Sequence, residues 1–185
     1  MTKDKTKTVR VVGAGLAGSE CANYLATHGF KVLLYDIKPK SYTPAHKSDK
    51  FGELVCSNSL KSNDVYGNAC GLLKEELRKL GSLVIEAGDA TRVPAGNALA
   101  VNREDFATYI TGRLKSNENV SVFCEEITEI ADDIPTVYAT GPLTTDKLSE
   151  SIREKTGDGL SFYDASAPII SAESIDMTKA FIGDR

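Results

Sequence analysis

Residues 9–18 read Val9-Arg10-Val11-Val12-Gly13-Ala14-Gly15-Leu16-Ala17-Gly18, a β-branched run that leads into three glycines spaced as GxGxxG. The run predicts a strand, and the residues after it predict a helix over Leu16–His28, because apolar residues recur there every four positions. Gly29 ends that helix, and Lys31–Tyr35 is a second apolar run. Strand, helix and strand joined by short turns predict a βαβ unit with parallel strands.

The three glycines have separate roles in a turn that binds a dinucleotide. Gly13 permits the tight turn, Gly15 lets a pyrophosphate approach the backbone, and Gly18 lets the helix pack against the strand. The helix N-terminus offers free N–H groups and a partial positive charge to the phosphates. Asp36 ends the second strand about 20 residues further on, where an acid accepts hydrogen bonds from ribose hydroxyls and disfavours the 2′-phosphate of NADP. A glycine-rich turn without a ligand is the alternative, and the accompanying strand, helix and acid favour the dinucleotide site.

A second glycine segment, Tyr138-Ala139-Thr140-Gly141-Pro142, follows another β-branched run. An Ala-Thr-Gly at the end of such a strand recurs in flavoproteins with two dinucleotide folds, where it passes close to FAD. A plain turn formed by Gly-Pro is the alternative. Together with the long excursion between Asp36 and Val137, the segment favours FAD over NAD. The expected fold class is α/β, a Rossmann-like two-dinucleotide-binding (glutathione-reductase-like) FAD domain that is incomplete in this chain.

Composition and length exclude several classes of protein. The 185 residues are 41% hydrophobic and 26% charged, with a formal net charge of −4, which suits one globular domain or one domain with part of another. An acidic chain of this kind is not a general nucleic-acid binder. No apolar stretch approaches the ~18 residues that a membrane span needs, and residues 1–10 lack the pattern of a signal peptide. The expected location is therefore cytoplasmic, with no membrane partner.

The cysteines and the two histidines argue against a metal site. Cys21, Cys56, Cys70 and Cys124 are far apart and no CxxC occurs, whereas zinc ligands come in close pairs. The same spacing does not suit a disulfide framework, so reduced thiols are expected. Cys21, Cys70 and Cys124 are interpreted as small buried hydrophobes. Cys56 lies in a polar segment without periodicity, and two interpretations stay open for it: an inert thiol, or an accessible one that nearby lysines help to ionise.

The rest of the chain alternates helices and strands after a long irregular segment over residues 37–63. The expected elements are a helix from Asn68 with Cys70, Leu73, Leu77 and Leu80 on its apolar face, strands at Leu83–Ala87, Ala98–Val101, Val120–Cys124 and Pro135–Ala139, and helices at Arg103–Lys115 and Thr144–Lys155. We divide the chain into an N-terminal βαβ unit (1–37), a long loop with inserted α/β elements (38–134), a return to the FAD-binding domain (135–145) and the truncated start of a further domain (146–185).

The irregular segment is also rich in lysine. Between Lys38 and Asn63 five lysines stand against two acidic residues, with Tyr42 and Phe51 among them. Such a segment can meet the phosphates and bases of a nucleic acid. A solvated loop is the more common outcome for this pattern and is favoured here, with His46 interpreted as a hydrogen-bonded loop residue.

Part of this segment closely resembles a known family. The matching residues read Thr43-Pro44-Ala45-His46 and Asp49-Lys50-Phe51-Gly52-Glu53-Leu54-Val55-Cys56-Ser57-Asn58-Ser59-Leu60. Together with residues 11–20 and 139–144, they resemble the folate- and FAD-dependent tRNA (uracil-5-)-methyltransferases, the TrmFO family. The resemblance runs from Val9 to Asp184, onto the N-terminal portion of these enzymes, and the Leu-Val-Cys-Ser-Asn-Ser-Leu block is its most specific part. GidA-type tRNA-modifying flavoproteins share the general plan without that block.

The resemblance implies a route to 5-methyluridine in the T-loop of tRNA. Methylenetetrahydrofolate would supply a one-carbon unit, reduced FAD the electrons that make it a methyl group, and NAD(P)H the re-reduction of the flavin. Cys56 matches a family cysteine implicated in catalysis, where a thiolate that adds to C6 of uracil makes C5 nucleophilic. The candidate cofactor-binding residues, from this resemblance and the two glycine segments, are Gly13, Ala14, Gly15, Leu16, Ala17, Gly18, Asp36, Thr140 and Gly141.

Three alternatives stay open on the sequence. They are an FAD- or NAD-dependent oxidoreductase that acts on a small molecule, the same methylation of a ribosomal RNA uridine, and a nucleotide-binding remnant without catalysis. Members of the family are considerably longer than 185 residues. We therefore expect residues 1–185 in isolation to bind FAD weakly and to be inactive.

Overall fold

The chain folds into alternating strands and helices, and a computed structural model describes residues 7–157 and 172–180 of it. In chain order the elements are β1 (Thr8–Val12), α1 (Leu16–Thr27), β2 (Lys31–Asp36), β3 (Ser59–Ser62), α2 (Ala69–Lys79), α3 (Leu83–Ala90), β4 (Arg92–Val93), β5 (Ala98–Val101), α4 (Arg103–Ser116), β6 (Val120–Cys124), β7 (Thr136–Tyr138) and α5 (Asp146–Thr156). Short 3-10 turns lie at Gly141–Leu143 and Ala172–Ser174.

A four-stranded parallel sheet in the order β6-β2-β1-β7 lies at the centre of the fold. β1 pairs with β2 in a register that places Val11 beside Leu34, and with β7 in a register that places Val12 beside Tyr138. The parallel pairing of β1 with β2 across α1 confirms the predicted βαβ unit.

Helices cover both faces of this sheet. Val11 belongs to the main core, which it shares with side chains of α1, α3 and α4. Val12, the next residue, packs on the opposite side against Leu148 and Ile152 of α5. Successive strand residues point to opposite faces, so one strand supplies both layers. The parallel sheet with helices on both faces is the α/β architecture predicted from the sequence.

A smaller antiparallel sheet has three strands in the order β3-β5-β4. Its strands lie between β2 and β6 in the sequence. Its strand β3 falls inside the segment predicted to be irregular over residues 37–63, so that prediction is wrong at its end. Ser59–Ser62 is short and polar, and it pairs with Ala98–Val101 with an irregular register. Such a strand carries no apolar alternation by which it could be recognised.

Residues 83–87, predicted to be a strand, form the first part of helix α3. A short apolar run does not distinguish a buried strand from a buried helix. Ser82 caps the helix with its own side chain. Glu20 of α1 adds a second cap, because its carboxylate accepts hydrogen bonds from Ser82 Oγ at 2.8 Å, Leu83 N at 3.1 Å and Val84 N at 2.8 Å. These bonds join residues 62 to 64 positions apart, which no local pattern reveals.

Helix α2 does not bury the apolar face predicted for it. Leu73 and Leu80, which the sequence pattern assigns to that face, are 55% and 72% exposed. The buried residues are Gly71 and Lys74. A Cβ at Gly71 would lie 1.9 Å from the carbonyl oxygen of Asp64, and the Lys74 ammonium donates to two main-chain carbonyls. Close backbone approach and a bonded lysine therefore decide which side of α2 faces the protein.

The remaining elements lie near their predicted bounds. Asn102 begins α4 as expected, and its side chain accepts from the N–H groups of Glu104 and Asp105. Strand β6, which falls within residues 38–134, pairs with β2 in the main sheet. The division of the chain into four segments stays a prediction, and most of residues 158–185 lies outside the described part of the chain. None of the helices described is both long and apolar enough to cross a membrane.

Candidate functional site

A cavity of about 280 Å³ lies at the carboxyl ends of the parallel strands. Ligands of open α/β sheets bind at this edge. Three sequence segments that are far apart in the chain meet in its wall: the glycine turn after β1, the acid at the end of β2 and the Ala-Thr-Gly segment after β7. The predicted site residues that line it are Gly13, Gly15, Leu16, Ala17, Asp36, Thr140 and Gly141.

Two of the glycines are required by packing. Gly13 has a φ of +96°, and a Cβ there would lie 2.6 Å from the carbonyl oxygen of Ala139. A Cβ at Gly18 would lie 1.7 Å from the carbonyl oxygen of Gly13. The glycine turn is thus in direct contact with the start of the Ala-Thr-Gly segment, where Ala139 N also donates to the carbonyl of Val12 at 2.7 Å.

Gly15 differs because the space beside it is open. A Cβ at this position would meet no atom within 4 Å. Gly15 is the N-cap of α1 and makes no side-chain hydrogen bond to the first turn. The N–H groups of that turn have no partner within the helix, so they are available to an acceptor in the cavity. The open approach and the helix start suit a phosphate group.

Helix α5 also begins at the cavity. Its N-cap, Thr145, lies in the cavity wall and makes no side-chain cap bond. The other three α-helices of the described chain are capped by the side chains of Asn68, Ser82 and Asn102. The two described α-helices without a side-chain cap therefore both start at the cavity, a distribution that favours a negatively charged ligand.

Asp36 is positioned by backbone groups on both sides. Its Oδ2 accepts a hydrogen bond from Ala14 N at 2.7 Å, and its Oδ1 accepts one from Lys38 N at 2.9 Å. A carboxylate has about four acceptor positions, so each oxygen retains one for a ligand hydroxyl. Ala14 itself is fully buried and supports the turn from behind, and neither it nor Gly18 lines the cavity.

The Ala-Thr-Gly segment is held by hydrogen bonds to the side chain of Thr144. Thr140 Oγ1 lies 2.6 Å from Thr144 Oγ1, which also donates to the carbonyl of Gly141 at 2.8 Å. Gly141 has a φ of +70°, a left-handed conformation that favours glycine. These contacts define the turn that leads from β7 towards α5.

Several residues of the wall were not singled out as binding residues by the sequence. Glu125, Glu126 and Ile127 follow β6, and His46 and Glu53 come from the segment after β2. The usable signal for the first three is their place directly after a strand, because carboxyl ends of parallel strands meet at one edge. That signal can be used only when the pairing of β6 with β2 is known, and this pairing is seen only in the folded structure.

His46 is held in the wall as a hydrogen-bonded residue. Its Nδ1 lies 2.5 Å from Thr43 Oγ1. Burial lowers the pKa of His46 below its ordinary value, and Lys38 lowers it further, while Glu53 and Asp36 act in the opposite sense. The lowered pKa favours the neutral imidazole at about pH 7.

Cys56 lies outside the cavity wall with its side chain exposed, directly after Val55, which lines the wall. The backbone around it is bonded to neighbouring elements. The Arg103 guanidinium donates to the Cys56 carbonyl at 3.3 Å, and Asn58 exchanges two hydrogen bonds with Val101, at 2.9 and 3.2 Å. The geometry thus places an accessible thiol at the margin of the cavity, on a segment attached to β5.

Two of the five lysines between residues 38 and 63 are engaged in ion pairs. Lys38 is buried 3.9 Å from Glu53, and Lys50 bonds to Glu104. The other three, Lys40, Lys47 and Lys61, are exposed. The positive charge that this segment offers to a nucleic acid is therefore smaller than its composition suggests.

The four cysteines are free thiols, and Cys21, Cys70 and Cys124 are only partly buried. Burial raises the pKa of the Cys21 thiol. Within residues 7–157 and 172–180, no group of three or more His, Cys, Asp or Glu side chains is arranged to hold a metal ion.

Comparison with known proteins gives one family and a set of close relatives. A family model described as "Glucose inhibited division protein A" matches residues 8–185. Two proteins of Staphylococcus aureus, from strains JH9 and Newman, are named methylenetetrahydrofolate--tRNA-(uracil-5-)-methyltransferase TrmFO, and each is 57% identical to the chain over 181 residues. The match covers 97% of the chain and 41% of each relative, so the chain spans about two fifths of their length. These matches confirm the resemblance identified from the sequence.

Among solved structures, GidA of Aquifex aeolicus in its form II crystal is similar to the chain with a TM-score of 0.53 and 20% sequence identity. The similarity covers 68% of the chain and 21% of that structure. At this identity it concerns the fold alone, and together with the parallel sheet it confirms the Rossmann-like α/β class.

Proposed function

Because the chain belongs to the glucose inhibited division protein A family, we propose that it is part of an enzyme that methylates C5 of a uridine in the T-loop of tRNA. In this proposal methylenetetrahydrofolate donates the one-carbon unit, FAD is the bound cofactor and NAD(P)H re-reduces it. The observation that carries the proposal is the high identity, over nearly the whole chain, with relatives named for this reaction. The activity is proposed for the full-length protein, in the cytoplasm with its tRNA.

The cavity supports FAD as the cofactor. The open space at Gly15 and the uncapped start of α1 suit its diphosphate, and the remaining acceptor positions of Asp36 suit ribose hydroxyls. Thr140 and Gly141 form the neighbouring wall. When bound and reduced, FAD supplies the two electrons that convert a methylene-level carbon into a methyl group.

Cys56 is the proposed nucleophile. C5 of uracil is a poor nucleophile, so a thiolate is needed to add to C6, forming a C–S bond and an enolate whose C5 attacks the one-carbon donor. Loss of the C5 proton and of tetrahydrofolate then leaves an exocyclic methylene, which the two electrons that FAD would supply reduce to a methyl group as the thiolate departs. This departure restores the C5–C6 double bond and frees Sγ. The exposure of Cys56 at the cavity margin supports this role, since the thiol must be accessible to the uridine and close to the ligand in the cavity.

The test uses the full-length protein with tRNA that lacks the modification, methylenetetrahydrofolate and NADH. We expect 5-methyluridine in tRNA only when folate is present. Cys56→Ala is expected to abolish product formation, and Cys70→Ala, which removes a thiol from α2 away from the cavity wall, is the matched control and is expected to retain it.

Other outcomes would contradict the proposal in defined ways. NADH consumption that is indifferent to tRNA and folate would indicate an oxidoreductase that acts on a small molecule. Methylation of ribosomal RNA in place of tRNA would reassign the substrate. Full activity in Cys56→Ala would remove the thiol from the mechanism.

A further inference from the structure

A buried ion pair lies in the segment that leads to Cys56. The ammonium of Lys38 is 3.9 Å from Oε2 of Glu53, and the two side chains are 6% and 15% exposed. Lysine and glutamate are seldom buried, because removing each charge from water is costly unless partners compensate it. Neither residue takes part in the reaction proposed above, yet both line the cavity.

The pair folds residues 38–53 back on themselves. The Lys38 ammonium also donates to the carbonyl of Lys50. Oε1 of Glu53 accepts from Lys47 N at 3.0 Å and from Ser48 N at 3.2 Å. Oε2 of Glu53 is buried without a hydrogen-bond donor in the described part of the chain, so the Lys38 ammonium is the group that compensates its charge. These bonds determine the path of a segment that has no regular secondary structure.

The end of this segment is attached to the glycine turn and to the core. Gly52 N donates to the carbonyl of Ala14 at 2.9 Å, and Phe51 N donates to Thr111 Oγ1 at 2.8 Å. The side chains of Phe51 and Leu54 are buried in the main core. The next two residues are the cavity-lining valine and the exposed cysteine, so the position of this end sets the position of both.

The same lysine also contributes a positive charge to the cavity wall. Within the described part of its wall, Lys38 is the one Lys or Arg, beside the carboxylates of Asp36, Glu53, Glu125 and Glu126. An anionic ligand is repelled by those carboxylates, and a cation among them offsets the repulsion.

We propose that Lys38 and Glu53 are positioning residues. Their ion pair fixes the 38–56 segment so that Val55 completes the cavity wall and Cys56 stands at its margin, which couples ligand binding in the cavity to placement of the thiol. The ligand and the thiol are those of the proposed function, on which this inference rests. Loss of one partner leaves a buried charge alone, whereas loss of both leaves no uncompensated charge.

The test compares full-length Lys38→Met, Glu53→Gln and the double variant with the wild-type protein. Glu53→Gln retains an oxygen for the amides of residues 47 and 48, so it removes the charge alone. Each single variant is expected to bind FAD about tenfold more weakly and, without FAD, to exchange its backbone amides between residues 47 and 56 faster. The double variant is expected to lose less affinity than the two single losses combined.

A matched control separates this role from a general loss of stability. Asp132→Asn breaks the exposed ion pair of Lys155 and Asp132, whose N–O distance is 2.9 Å, and is expected to leave FAD affinity and amide exchange unchanged. A merely structural role of the buried pair would raise exchange throughout the domain and lower the melting temperature, without a change confined to residues 47–56.

Wild-type FAD affinity and wild-type exchange in both single variants would overturn the inference. If a single variant does not fold, FAD affinity and amide exchange are measured in the double variant, which buries no unpaired charge. Wild-type values of both in the double variant would then overturn the inference. Exchange is measured without FAD or tRNA. Failure of the wild-type protein to bind FAD or to methylate tRNA would therefore refute the proposed function, while the exchange data would still judge the ion pair.

Discussion

Gly15 is the residue at which packing of the chain and binding of a ligand make different demands. Its backbone is extended, with φ −69° and ψ −166°, a conformation open to alanine, and a Cβ would meet no atom of the protein within 4 Å. The added methyl group would instead occupy the space through which a diphosphate approaches the helix start. We expect Gly15→Ala in the full-length protein to keep the melting temperature and to weaken FAD binding by at least about tenfold.

Two other glycines provide the controls for this substitution. Gly112 lies in α4 away from the cavity, and a Cβ there would meet no atom within 4 Å, so Gly112→Ala is expected to preserve FAD affinity and to stabilise the helix by about 0.5–1 kcal/mol. Gly18→Ala is expected to prevent correct folding, because its Cβ would collide with the carbonyl oxygen of Gly13. Unchanged FAD affinity in Gly15→Ala would show that the diphosphate lies elsewhere.

At the scale of the element, helix α3 depends on a carboxylate from another helix. Glu20 accepts hydrogen bonds from one hydroxyl and two backbone N–H groups at the start of α3. Bonds to a charged acceptor at a helix N-terminus are stronger than neutral ones. We expect Glu20→Ala to destabilise the domain by about 2 kcal/mol, seen as a lower melting temperature and faster exchange of the amides of Leu83 and Val84.

The comparison for this cap is an acid that makes no such contact. Glu150 is exposed on α5, and Glu150→Ala is expected to change stability by less than about 0.5 kcal/mol. Equal melting temperatures for Glu20→Ala and Glu150→Ala would mean that Ser82 alone is sufficient to start α3.

The same helix shows where prediction from the sequence ends. The βαβ unit, Asp36 and the Asn102 cap were predictable because their signals lie within a few residues of the element that they define. Helix α3 was not predictable from the sequence, since its cap comes from Glu20, which is distant in the chain. The buried face of α2 was not predictable either, because it is determined by backbone contact at Gly71 and by hydrogen bonds of Lys74, neither of which follows a hydrophobic period.

For the site, the sequence predicted the three segments that meet at the strand ends, but it did not predict the ion pair of Lys38 and Glu53 in the cavity wall. Glycines and an acid at set spacings identify a dinucleotide-binding turn by a local pattern. The pairing of Lys38 with Glu53 has no such pattern, because it depends on how an irregular segment folds back on itself. Composition alone groups Lys38 with the solvated lysines of its segment, and only the fold shows that it is buried.

At the scale of the whole molecule, His46 makes stability depend on pH. Its pKa in the folded state is lowered from 6.5 by burial, then by Lys38. As the pH falls below about 6.5, the unfolded chain binds a proton first, so stability present above that pH is lost as the pH drops through the lowered pKa. We expect the melting temperature of the ligand-free wild-type protein to fall more between about pH 7 and pH 5 than that of His46→Gln.

The other histidine gives the control for this measurement. His28 is exposed and stacked on Tyr24, and its Nδ1 lies 2.7 Å from the Tyr24 carbonyl. His28→Gln is expected to retain the wild-type difference between the two pH values. A wild-type pH response in His46→Gln would assign the acid sensitivity to the carboxylates.

Val11 and Val12 point to opposite faces of the sheet, and both are buried there. A shift of the register of β1 by one residue would therefore disrupt packing on both faces. Deleting or inserting a single residue between Thr8 and Val12 would exchange the two hydrophobic layers and turn Gly13 away from Tyr35, to whose carbonyl it donates at 2.8 Å. Natural length variants of this domain should accordingly be concentrated in its loops, with the first strand constant in length.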